Sequence, residues 1–482
     1  MIRERVAEFL SIKYEKHLLI FDTSDFSYAF DYPELLEAEG FCVVYYIDVE
    51  EFRLRYELEI KNSMKKWAVI IRDDIYVPYD IRIGFYEVTV SLSAIFPKFD
   101  EKVIARHRGD LDIIGFTYDE VYSDSCKLRE TQTEYFIEDK VFTKNNVKKY
   151  CDIVSASILP ADKGKVISYS KWFEIAWVKA SMEVYAAKVG LSVDLSIVDE
   201  SFARFVMGDY QKLSGQVNSM APTILPKVFD YIAKDKAALI VMDGMSLFDF
   251  NIISRYFDGI EYEQQCSYAL VPSTTNISRQ CLLTGKYPVQ LEDPFTLSKE
   301  EKGFYEAAVE HGYSKQQALY ARGYEFQLSP FTKLLAVIIN EIDDIVHGQK
   351  QGRSGMYNDI TLMAKSGRLQ TLIRSLHKAG FTVYLTSDHG NTPCKGVGSI
   401  RTGIEVETKA KRMFILKDFA ETSSEISKNT IEYPGYYLDK NYKYLICKTG
   451  VSFDSKNSDV MTHGGITIDE VIVPFIKIKA VK

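Results

Sequence analysis

A short apolar run, Ala237–Met242, ends abruptly at Asp243 and Gly244. An uninterrupted apolar run of this kind is typical of a strand that is buried on both faces of a parallel sheet. Open α/β proteins place their binding sites at the carboxyl ends of such strands. The run therefore predicts an α/β fold and places the carboxylate of Asp243 at the edge of its sheet.

Two later stretches bring aspartate and histidine together in patterns that suit metal binding. Asp343 and His347 are four residues apart, so on a helix their side chains share one face and can bind one cation. Asp388 and His389 are adjacent at the end of another apolar run. Adjacent side chains can face one ion only in an irregular loop, which Gly390 permits.

The histidines strengthen this interpretation. The chain has only seven, and His347, His389 and His463 are each followed directly by glycine. With the three aspartates they form a mixed nitrogen and oxygen ligand set that suits two zinc ions, or manganese in their place. Two such cations suit phosphoryl transfer, because one can activate a nucleophile while the other stabilises the leaving oxygen.

A candidate nucleophile follows the segment Ser267–Pro272, which we predict to be a strand. Thr274 and Thr275 stand between this segment and a helical pattern, and the N-terminal amides of a helix attract phosphate. Arg279 lies on the same helix face as Thr275 and is a candidate for contacting a phosphoryl oxygen. A threonine before a helix is usually only an N-cap, so the two threonines indicate a nucleophile only in combination with the metal ligands.

The chain of 482 residues is too long for one ordinary core, so we expect several domains. Alternating apolar runs and helical patterns predict a small N-terminal α/β domain over residues 1–100. Residues 101–232 are predicted to be mainly helical, with one helix running from about Tyr169 to a C-cap at Gly190. Residues 233–482 carry the motifs and form the predicted catalytic domain.

Some features are better explained by structure than by chemistry. Asp22, Asp48, Asp73 and Asp74 follow strand-like runs near the N-terminus. We interpret them as helix caps, because no histidine or glycine-rich phosphate loop accompanies them. Insertions are expected within 285–333 and 395–457. The aromatic turn at 432–437 in the second is expected to pack rather than to stack on a base.

Charge and composition limit the possible roles. The formal net charge of -8 gives no global basic field, so contact with nucleic acid would depend on a local groove. Seven scattered cysteines without Cys-x-x-Cys spacing suit a reducing compartment, and we predict that none is a ligand. No stretch approaches the roughly 20 apolar residues of a membrane span. We therefore expect a soluble, cytoplasmic protein without a membrane partner.

The order of the motifs resembles the alkaline phosphatase superfamily: Asp-Gly, Pro-x-Thr-Thr, Asp-x-x-x-His, Asp-His-Gly and His-Gly-Gly. Within it, Ile342–Gly348, and His463–Gly465 followed by Glu470–Pro474, resemble the PglZ domain of BREX-type phage-defence systems. The resemblance covers about residues 233–482. It implies an alkaline-phosphatase-like catalytic domain with a central sheet flanked by helices. The chain lacks the Cys/Ser-x-Pro-x-Arg frame of the sulfatases.

The resemblance also implies the two ligand sets. It assigns one metal ion to Asp243, Thr275, Asp388 and His389, and the other to Asp343, His347 and His463. Thr275 is then the nucleophile, and a slip of one residue in the alignment leaves Thr274 as the alternative.

The function implied is a two-metal phosphoric ester hydrolase that uses a threonine nucleophile. We expect a phosphodiesterase acting on nucleotides or nucleic acid in phage defence, with other defence proteins as partners. A phosphomonoesterase is the alternative within the same class. A scaffold subunit without turnover is the alternative from another class, although none of the expected ligands or the nucleophile is missing.

Overall fold

The computed structural model describes residues 2–22, 26, 32–72, 75–121, 126–160, 166–234, 236–400, 411–417 and 424–481. The chain divides into two compact units, Met1–Tyr150 and Cys151–Lys482. The division falls within the region predicted as mainly helical, and the three domain boundaries given above stay a prediction. Among the described residues, no helix is both long enough and apolar enough to cross a membrane.

The first unit contains a parallel four-stranded sheet. Its strands are β1 (His17–Phe21), β2 (Phe41–Tyr45), β3 (Lys66–Ile71) and β4 (Tyr86–Thr89), and their order in the sheet is β2-β3-β1-β4. The apolar residues of the two inner strands, β1 and β3, are largely buried, as expected where a parallel sheet is covered on both faces. The predicted N-terminal α/β arrangement is therefore present.

Short helices surround this sheet. They are α1 (Ile2–Phe9), α2 (Tyr32–Ala38), α3 (Val49–Arg55), α4 (Tyr79–Arg82), α5 (Leu92–Ile95), α6 (Glu101–Arg106), α7 (Leu111–Val121) and α8 (Glu130–Phe136), with π-helical turns at Tyr56–Ile60 and Ile137–Val141 and a 3₁₀ turn at Arg108–Asp110. The helix α9 (Lys144–Ser157) crosses the division between the units.

One of the acidic residues after the N-terminal strands is a helix cap in the described part of the chain. Asp48 is the N-cap of α3, and its carboxylate accepts a hydrogen bond from the Glu51 N–H at 2.9 Å. Asp22 is buried and accepts from the Phe26 N–H at 2.8 Å. The capping interpretation is confirmed for Asp48 and stays a prediction for Asp22, whereas Asp73 and Asp74 lie outside the described part of the chain.

The second unit is built on a six-stranded sheet. Its strands are β5 (Ala237–Met242), β6 (Ile260–Tyr268), β7 (Ala318–Arg322), β8 (Leu334–Ile339), β9 (Thr382–Thr386) and β16 (Ile472–Val481), in the order β6-β16-β9-β5-β8-β7. β5 lies in parallel between β8 and β9, and all its residues are buried. The predicted α/β fold is confirmed, with the apolar run before Asp243 as a central strand.

Two small sheets accompany the large one. Their strands are β10 (Thr392–Gly396), β11 (Met413–Lys417), β12 (Thr430–Tyr433), β13 (Tyr442–Cys447), β14 (Val451–Ser452) and β15 (Asp459–Thr462), in the orders β14-β10-β15 and β11-β13-β12. The aromatic turn packs as predicted, because the hydroxyls of Tyr436 and Tyr437 donate to the backbone carbonyls of Met207 and Gln211 at 2.8 and 2.7 Å.

One expectation about strands was wrong in part. The strand predicted as Ser267–Pro272 is β6 (Ile260–Tyr268), which begins earlier and ends before Pro272, a residue without an N–H to donate. Charged residues on this edge strand conceal its earlier part. The segment 285–333 supplies β7, and the insertion expected there stays a prediction. The last strand, β16, begins at Ile472, after a short helix in which Glu470 completes a capping box with Thr467.

Helices cover the sheet of the second unit. They are α10 (Tyr169–Lys188), α11 (Ser196–Gly208), α12 (Pro226–Ile232), α13 (Leu247–Ser254), α14 (Thr275–Thr284), α15 (Glu300–Glu310), α16 (Glu341–Gly348), α17 (Gly352–Lys365), α18 (Arg368–Lys378), α19 (Ser424–Asn429) and α20 (Ile468–Val471), with 3₁₀ turns at Tyr210–Gly215 and Pro288–Gln290. The helix predicted from Tyr169 is confirmed as α10, and Gly190 beyond it has a positive φ of 65°.

A buried cluster of charges joins α10 to its neighbours. The ammonium of Lys179 lies 2.5 Å from the carboxylate of Asp469, 2.7 Å from Glu183 and 3.8 Å from Asp199. Arg353 contacts Glu183 at 2.9 Å and Asp469 at 3.0 Å. With two cations and three carboxylates, the cluster is balanced when one carboxyl group holds a proton. Burial, opposed by Lys179 and reinforced by Asp469, raises the pKa of Asp199 to about 7.

We predict that this carboxyl group makes the stability of the protein depend on pH. The unfolded state releases the proton of Asp199 near pH 4 and the folded state near pH 7, so the folded state binds more protons in this window. The contribution of Asp199 to the free energy of unfolding should therefore fall as the pH rises from about 4 to about 7. Asp199→Asn should remove this contribution, so urea unfolding at several pH values should show a less steep fall, or a steeper rise, than in the unmodified protein.

The exposed neighbour Glu200 on the same helix provides the control. Glu200→Gln should keep the pH dependence of the unmodified protein. An equally steep fall of the unfolding free energy in Asp199→Asn would contradict the assignment of this effect to Asp199.

Candidate metal centre

The carboxyl ends of three adjacent strands bring the predicted aspartates together. Asp243 directly follows β5, and Asp388 follows the neighbouring strand β9 after a single residue. Asp343 lies in the first turn of α16, which follows β8 on the other side of β5. The three carboxylates therefore come from one edge of the sheet, where the parallel strands direct their following loops.

The first ligand group consists of Asp243, Asp388 and His389. One ligand atom from each residue lies within 4.8 Å of the others, and all three side chains are buried. The Nε2 atom of His389 is 3.7 Å from Asp243 Oδ1 and 3.0 Å from the hydroxyl oxygen of Thr275. Thr275 is the first residue of α14, so the candidate nucleophile borders this group.

The second ligand group consists of Asp343, His347 and His463, whose ligand atoms also lie within 4.8 Å of one another. His347 Nε2 lies 3.0 Å from Asp343 Oδ1, which confirms that the two side chains share one face of α16. His463 follows β15, and its Nε2 atom is 3.3 Å from that of His347. The rings of His463 and His389 stack at 4.1 Å, so the two groups adjoin.

Backbone carbonyls fix which nitrogen of each buried ring is available. His389 Nδ1 lies 3.0 Å from the carbonyl oxygen of Gly390, and His463 Nδ1 lies 3.1 Å from that of Ser273. Because a carbonyl oxygen can only accept, each Nδ1 carries the hydrogen and each Nε2 presents a lone pair to the site. This is the arrangement of a histidine prepared to bind a metal ion.

The pKa shifts show how much charge the site concentrates. Burial and the neighbouring Asp243 raise the pKa of Asp388 well above its usual range. Burial and the nearby His463 hold the pKa of His389 well below its usual range. Burial also acts to raise the pKa of Asp343, but the hydrogen bond with His347 and the proximity of His463 outweigh it and lower the pKa.

The donor atoms fit two divalent cations. Asp388 Oδ2 is buried and accepts no hydrogen bond from the described residues, and the nearest guanidinium nitrogen, Nη1 of Arg279, is 3.7 Å away. A buried carboxylate oxygen without a donor is costly, so it is available to bind a metal ion. Each group supplies carboxylate oxygen and imidazole nitrogen, the ligand types that zinc takes in proteins. The two candidate metal-binding groups thus contain the six aspartates and histidines that were predicted, together with Thr275, as metal ligands.

Arg279 lies behind the ligand carboxylates. Only 1% of its surface is exposed, and its guanidinium donates to Asp243 Oδ2 at 2.5 Å and to Glu300 Oε2 at 2.7 Å. Its Nη1 atom is also 3.7 Å from Asp388 Oδ2. The side chain thus neutralises ligand carboxylates, and contact with a phosphoryl oxygen stays a prediction. Sequence reasoning missed Glu300, which lies far from any motif.

Two serines that were not predicted connect the loops of the site. Ser273 Oγ donates to the carbonyl of Gly465 at 3.0 Å and accepts from the Gly464 N–H at 3.1 Å. It therefore joins the Thr275 loop to the His463 loop. Ser387 Oγ lies 2.7 Å from the carbonyl oxygen of Met242 and accepts from the Met245 N–H at 2.8 Å. These contacts connect strands distant in sequence, and no local pattern reveals them.

Gly390 is required by close packing rather than by an unusual φ angle. A Cβ atom at this position would lie 1.8 Å from the carbonyl oxygen of Asp469 and 3.1 Å from the Cβ atom of Ser246. Gly348 also follows a histidine of the site, but a Cβ atom added there would have none of the described atoms within 4 Å beyond its own helix and chain neighbours. The two His-Gly pairs are therefore alike in sequence but not in structure.

We predict opposite results for alanine at these two glycines. Gly390→Ala should lower the free energy of unfolding by about 1–3 kcal/mol, because the loop must move away from Asp469. Gly348→Ala should be neutral or stabilising by up to about 1 kcal/mol, because a methyl group fits there and favours the helix. Urea unfolding of both variants checks this difference, and equal stabilities would contradict it.

Comparison with known proteins finds one family model and several solved structures. Residues 225–478 match the family model described as the BREX system PglZ alkaline phosphatase-like domain. No curated protein matches the chain. The chain is similar in structure to mouse ectonucleotide pyrophosphatase/phosphodiesterase 5, which was solved as an inactive variant with AMP. The TM-score is 0.34 at 13% identity, and the match covers 50% of this chain and 88% of that chain. The human protein gives a TM-score of 0.33 at 13% identity, with 50% of this chain and 87% of that chain covered.

The matched segment begins before β5 and extends into β16, so it contains both ligand groups, Thr275 and the central sheet. The resemblance inferred from the motifs is therefore confirmed, and it supports a phosphoesterase-type hydrolase as the general class. Since the family model covers slightly more than half of the chain, the chain belongs to the family of BREX-system PglZ alkaline phosphatase-like proteins.

Proposed function

We propose that this protein is a phosphodiesterase that uses two divalent metal ions and Thr275 as its nucleophile. The observation that carries the proposal is the position of the Thr275 hydroxyl, 3.0 Å from Nε2 of His389 and next to a buried Asp/His ligand group. A threonine serving only as a helix cap would have no reason to contact a candidate metal ligand. We propose zinc as the resident metal, with manganese as a substitute.

The surroundings of the two adjacent threonines favour Thr275 over Thr274 as the nucleophile. Thr274 is the N-cap of α14, but its side chain makes no capping hydrogen bond. Its hydroxyl is buried and has no hydrogen-bond partner among the described residues. A substrate phosphate at this helix end would meet the N-terminal amides and the positive end of the helix dipole. The hydroxyl of Thr275 is the one that borders the ligand group.

The proposed reaction has two displacements. The Thr275 oxygen attacks phosphorus, a Thr275 O–P bond forms, the P–O bond to the leaving group breaks, and the hydroxyl proton ends on the leaving alcohol. Water then attacks phosphorus and the Thr275 O–P bond breaks, so that one proton of the water restores the hydroxyl and the phosphate monoester is released. When bound, the two cations would supply charge neutralisation for the phosphoryl and leaving oxygens. Asp243, Asp388 and His389 would hold one cation, and Asp343, His347 and His463 would hold the other.

Hydrogen bonds within the protein orient the groups that this chemistry uses. His389 presents the lone pair of Nε2 because its Nδ1–H donates to Gly390. Arg279 holds Asp243 in place and offsets part of the negative charge that three buried aspartates concentrate. We propose that Arg279 also contacts a phosphoryl oxygen of the substrate, in addition to holding Asp243.

We further propose nucleotides or nucleic acid as substrates and phage defence as the role. The family description names the BREX system, and a defence role brings a phosphodiesterase near DNA. The net charge of -8 makes binding depend on local positive groups rather than on the overall field. Other defence proteins would be its partners, in the cytoplasm.

The first experiment compares hydrolysis of p-nitrophenyl monoester and diester phosphates by zinc-loaded protein. The diester should be the better substrate, and Thr275→Ala should reduce its turnover by at least about a thousandfold, since the nucleophile is removed. Thr275→Ser, which keeps a hydroxyl, should retain much of the activity. Thr274→Val, which removes the neighbouring hydroxyl at similar volume, is the matched control and should remain active.

Each other result has a definite meaning. Faster turnover of the monoester would replace the proposal by a phosphomonoesterase. Loss of activity in Thr274→Val but not in Thr275→Ala would transfer the nucleophile to Thr274. Bound zinc without turnover of either ester would favour the scaffold subunit.

A further inference from the structure

Asn391 connects the loops that carry the first ligand group. It is fully buried and follows the Asp388-His389-Gly390 motif. Its Nδ2 atom donates to the carbonyl of Gly244 at 2.9 Å and to Asp249 Oδ2 at 2.6 Å, and its Oδ1 atom accepts from Arg353 Nη1 at 3.2 Å. The side-chain amide of Asn391 is thus fixed in one orientation, because the Gly244 carbonyl can only accept a hydrogen bond and the Arg353 guanidinium can only donate one.

The partners of Asn391 in the Asp243 loop are themselves held in place. Asp249 Oδ2 accepts from the N–H of Ser246 at 2.9 Å and from its hydroxyl at 2.7 Å, within the capping box of α13. A second connection runs in the opposite direction, from the Gly244 N–H to Asp388 Oδ1 at 3.2 Å. The two loops are therefore joined by hydrogen bonds from each side, and the Asn391 amide provides one of them.

Arg353 anchors Asn391 to the helical layer. Its guanidinium lies 2.9 Å from Glu183 of α10 and 3.0 Å from Asp469 of α20, and it is 4.6 Å from the centre of the Phe248 ring. Lys179 of α10 contacts the same two carboxylates, at 2.7 and 2.5 Å. The position of the Asn391 amide therefore depends on the buried charge cluster, and through it on α10.

The second ligand group has a different support. Its residue Asp343 is carried by a helix, and His463 is held by the carbonyl of Ser273 at 3.1 Å. The hydrogen bonds described for Asn391 reach Gly244, Asp249 and Arg353 and do not extend to this group. Substitution of Asn391 should accordingly weaken metal binding by the first ligand group more than by the second.

We propose that Asn391, oriented by Arg353, is a positioning residue that sets the spacing of Asp243, Asp388 and His389 for one metal ion. This inference deepens the proposed function, because it rests on metal binding by the first group. It also gives the helix α10 a part in the metal centre, since Glu183 and Lys179 fix the guanidinium that orients the amide. Substitution of residues that orient metal ligands in this way typically weakens metal binding by about ten- to a hundredfold.

The test measures zinc affinity by isothermal titration calorimetry with each group isolated in turn. His463→Ala disables the second group and leaves the first, whereas Asp388→Ala disables the first and leaves the second. Adding Asn391→Ala to the His463→Ala protein should weaken zinc binding by about ten- to a hundredfold. Adding Asn391→Ala to the Asp388→Ala protein should leave zinc binding unchanged.

Two further variants separate positioning from a general loss of structure. Asn391→Asp keeps the shape and the acceptor for Arg353 but replaces the N–H donor, so it should weaken the first group as Asn391→Ala does. Asn146→Ala is the matched control. Asn146 is also a largely buried asparagine whose Nδ2 donates to a backbone carbonyl, that of Lys140 at 2.8 Å, but it lies in the first unit. Asn146→Ala should leave the zinc affinities of both ligand groups unchanged.

The proposal is overturned if Asn391→Ala and Asn391→Asp leave the first group's affinity unchanged, or if they weaken both groups equally. Failure of the proposed function gives a different result. In that case the unsubstituted protein binds two zinc ions but hydrolyses neither phosphate ester, whereas an unsubstituted protein that binds no zinc overturns both proposals. The effect of Asn391 on zinc affinity is measured independently of ester hydrolysis.

Discussion

The burial of three aspartate side chains at one edge of a parallel sheet is the constraint on which the rest of the second unit depends. Asp243, Asp343 and Asp388 are almost entirely removed from water, and like charges at this spacing raise the free energy of the fold unless cations or protons offset them. Arg279 and the proposed metal ions offset this charge together. The hydrogen bonds between the loops hold the aspartates and Arg279 at fixed distances.

Much of the ligand arrangement could be predicted because it follows from local rules. The apolar run before Asp243 determines a strand, and the strand determines the edge at which its carboxylate lies. The spacing of Asp343 and His347 is a property of any helix. The grouping of these residues with His463 required the resemblance to a known family, because no local rule brings β15 to the end of β8.

The features that could not be predicted depend on contacts between distant parts of the chain. Glu300 and Asn391 carry no motif, and their roles appear only when α15 and the charge cluster are in place. Arg279 was correctly placed on the helix face of Thr275, but the geometry of a helix does not say which partner a guanidinium meets first. The extent of the edge strand β6 was predicted wrongly, because its exposed polar residues hide the strand pattern.

The position of β16 in the sheet has a consequence for synthesis of the protein on the ribosome. Among the described strands β16 comes last in the chain, yet it lies between β9 and β6. Until β16 is made, β6 has no neighbouring strand in this sheet, and β9 exposes an edge that can pair with other chains. The strand leading to the proposed nucleophile can therefore join the sheet only after β16 has left the ribosome. Vectorial synthesis thus delays completion of the candidate site until all its proposed ligands have been made.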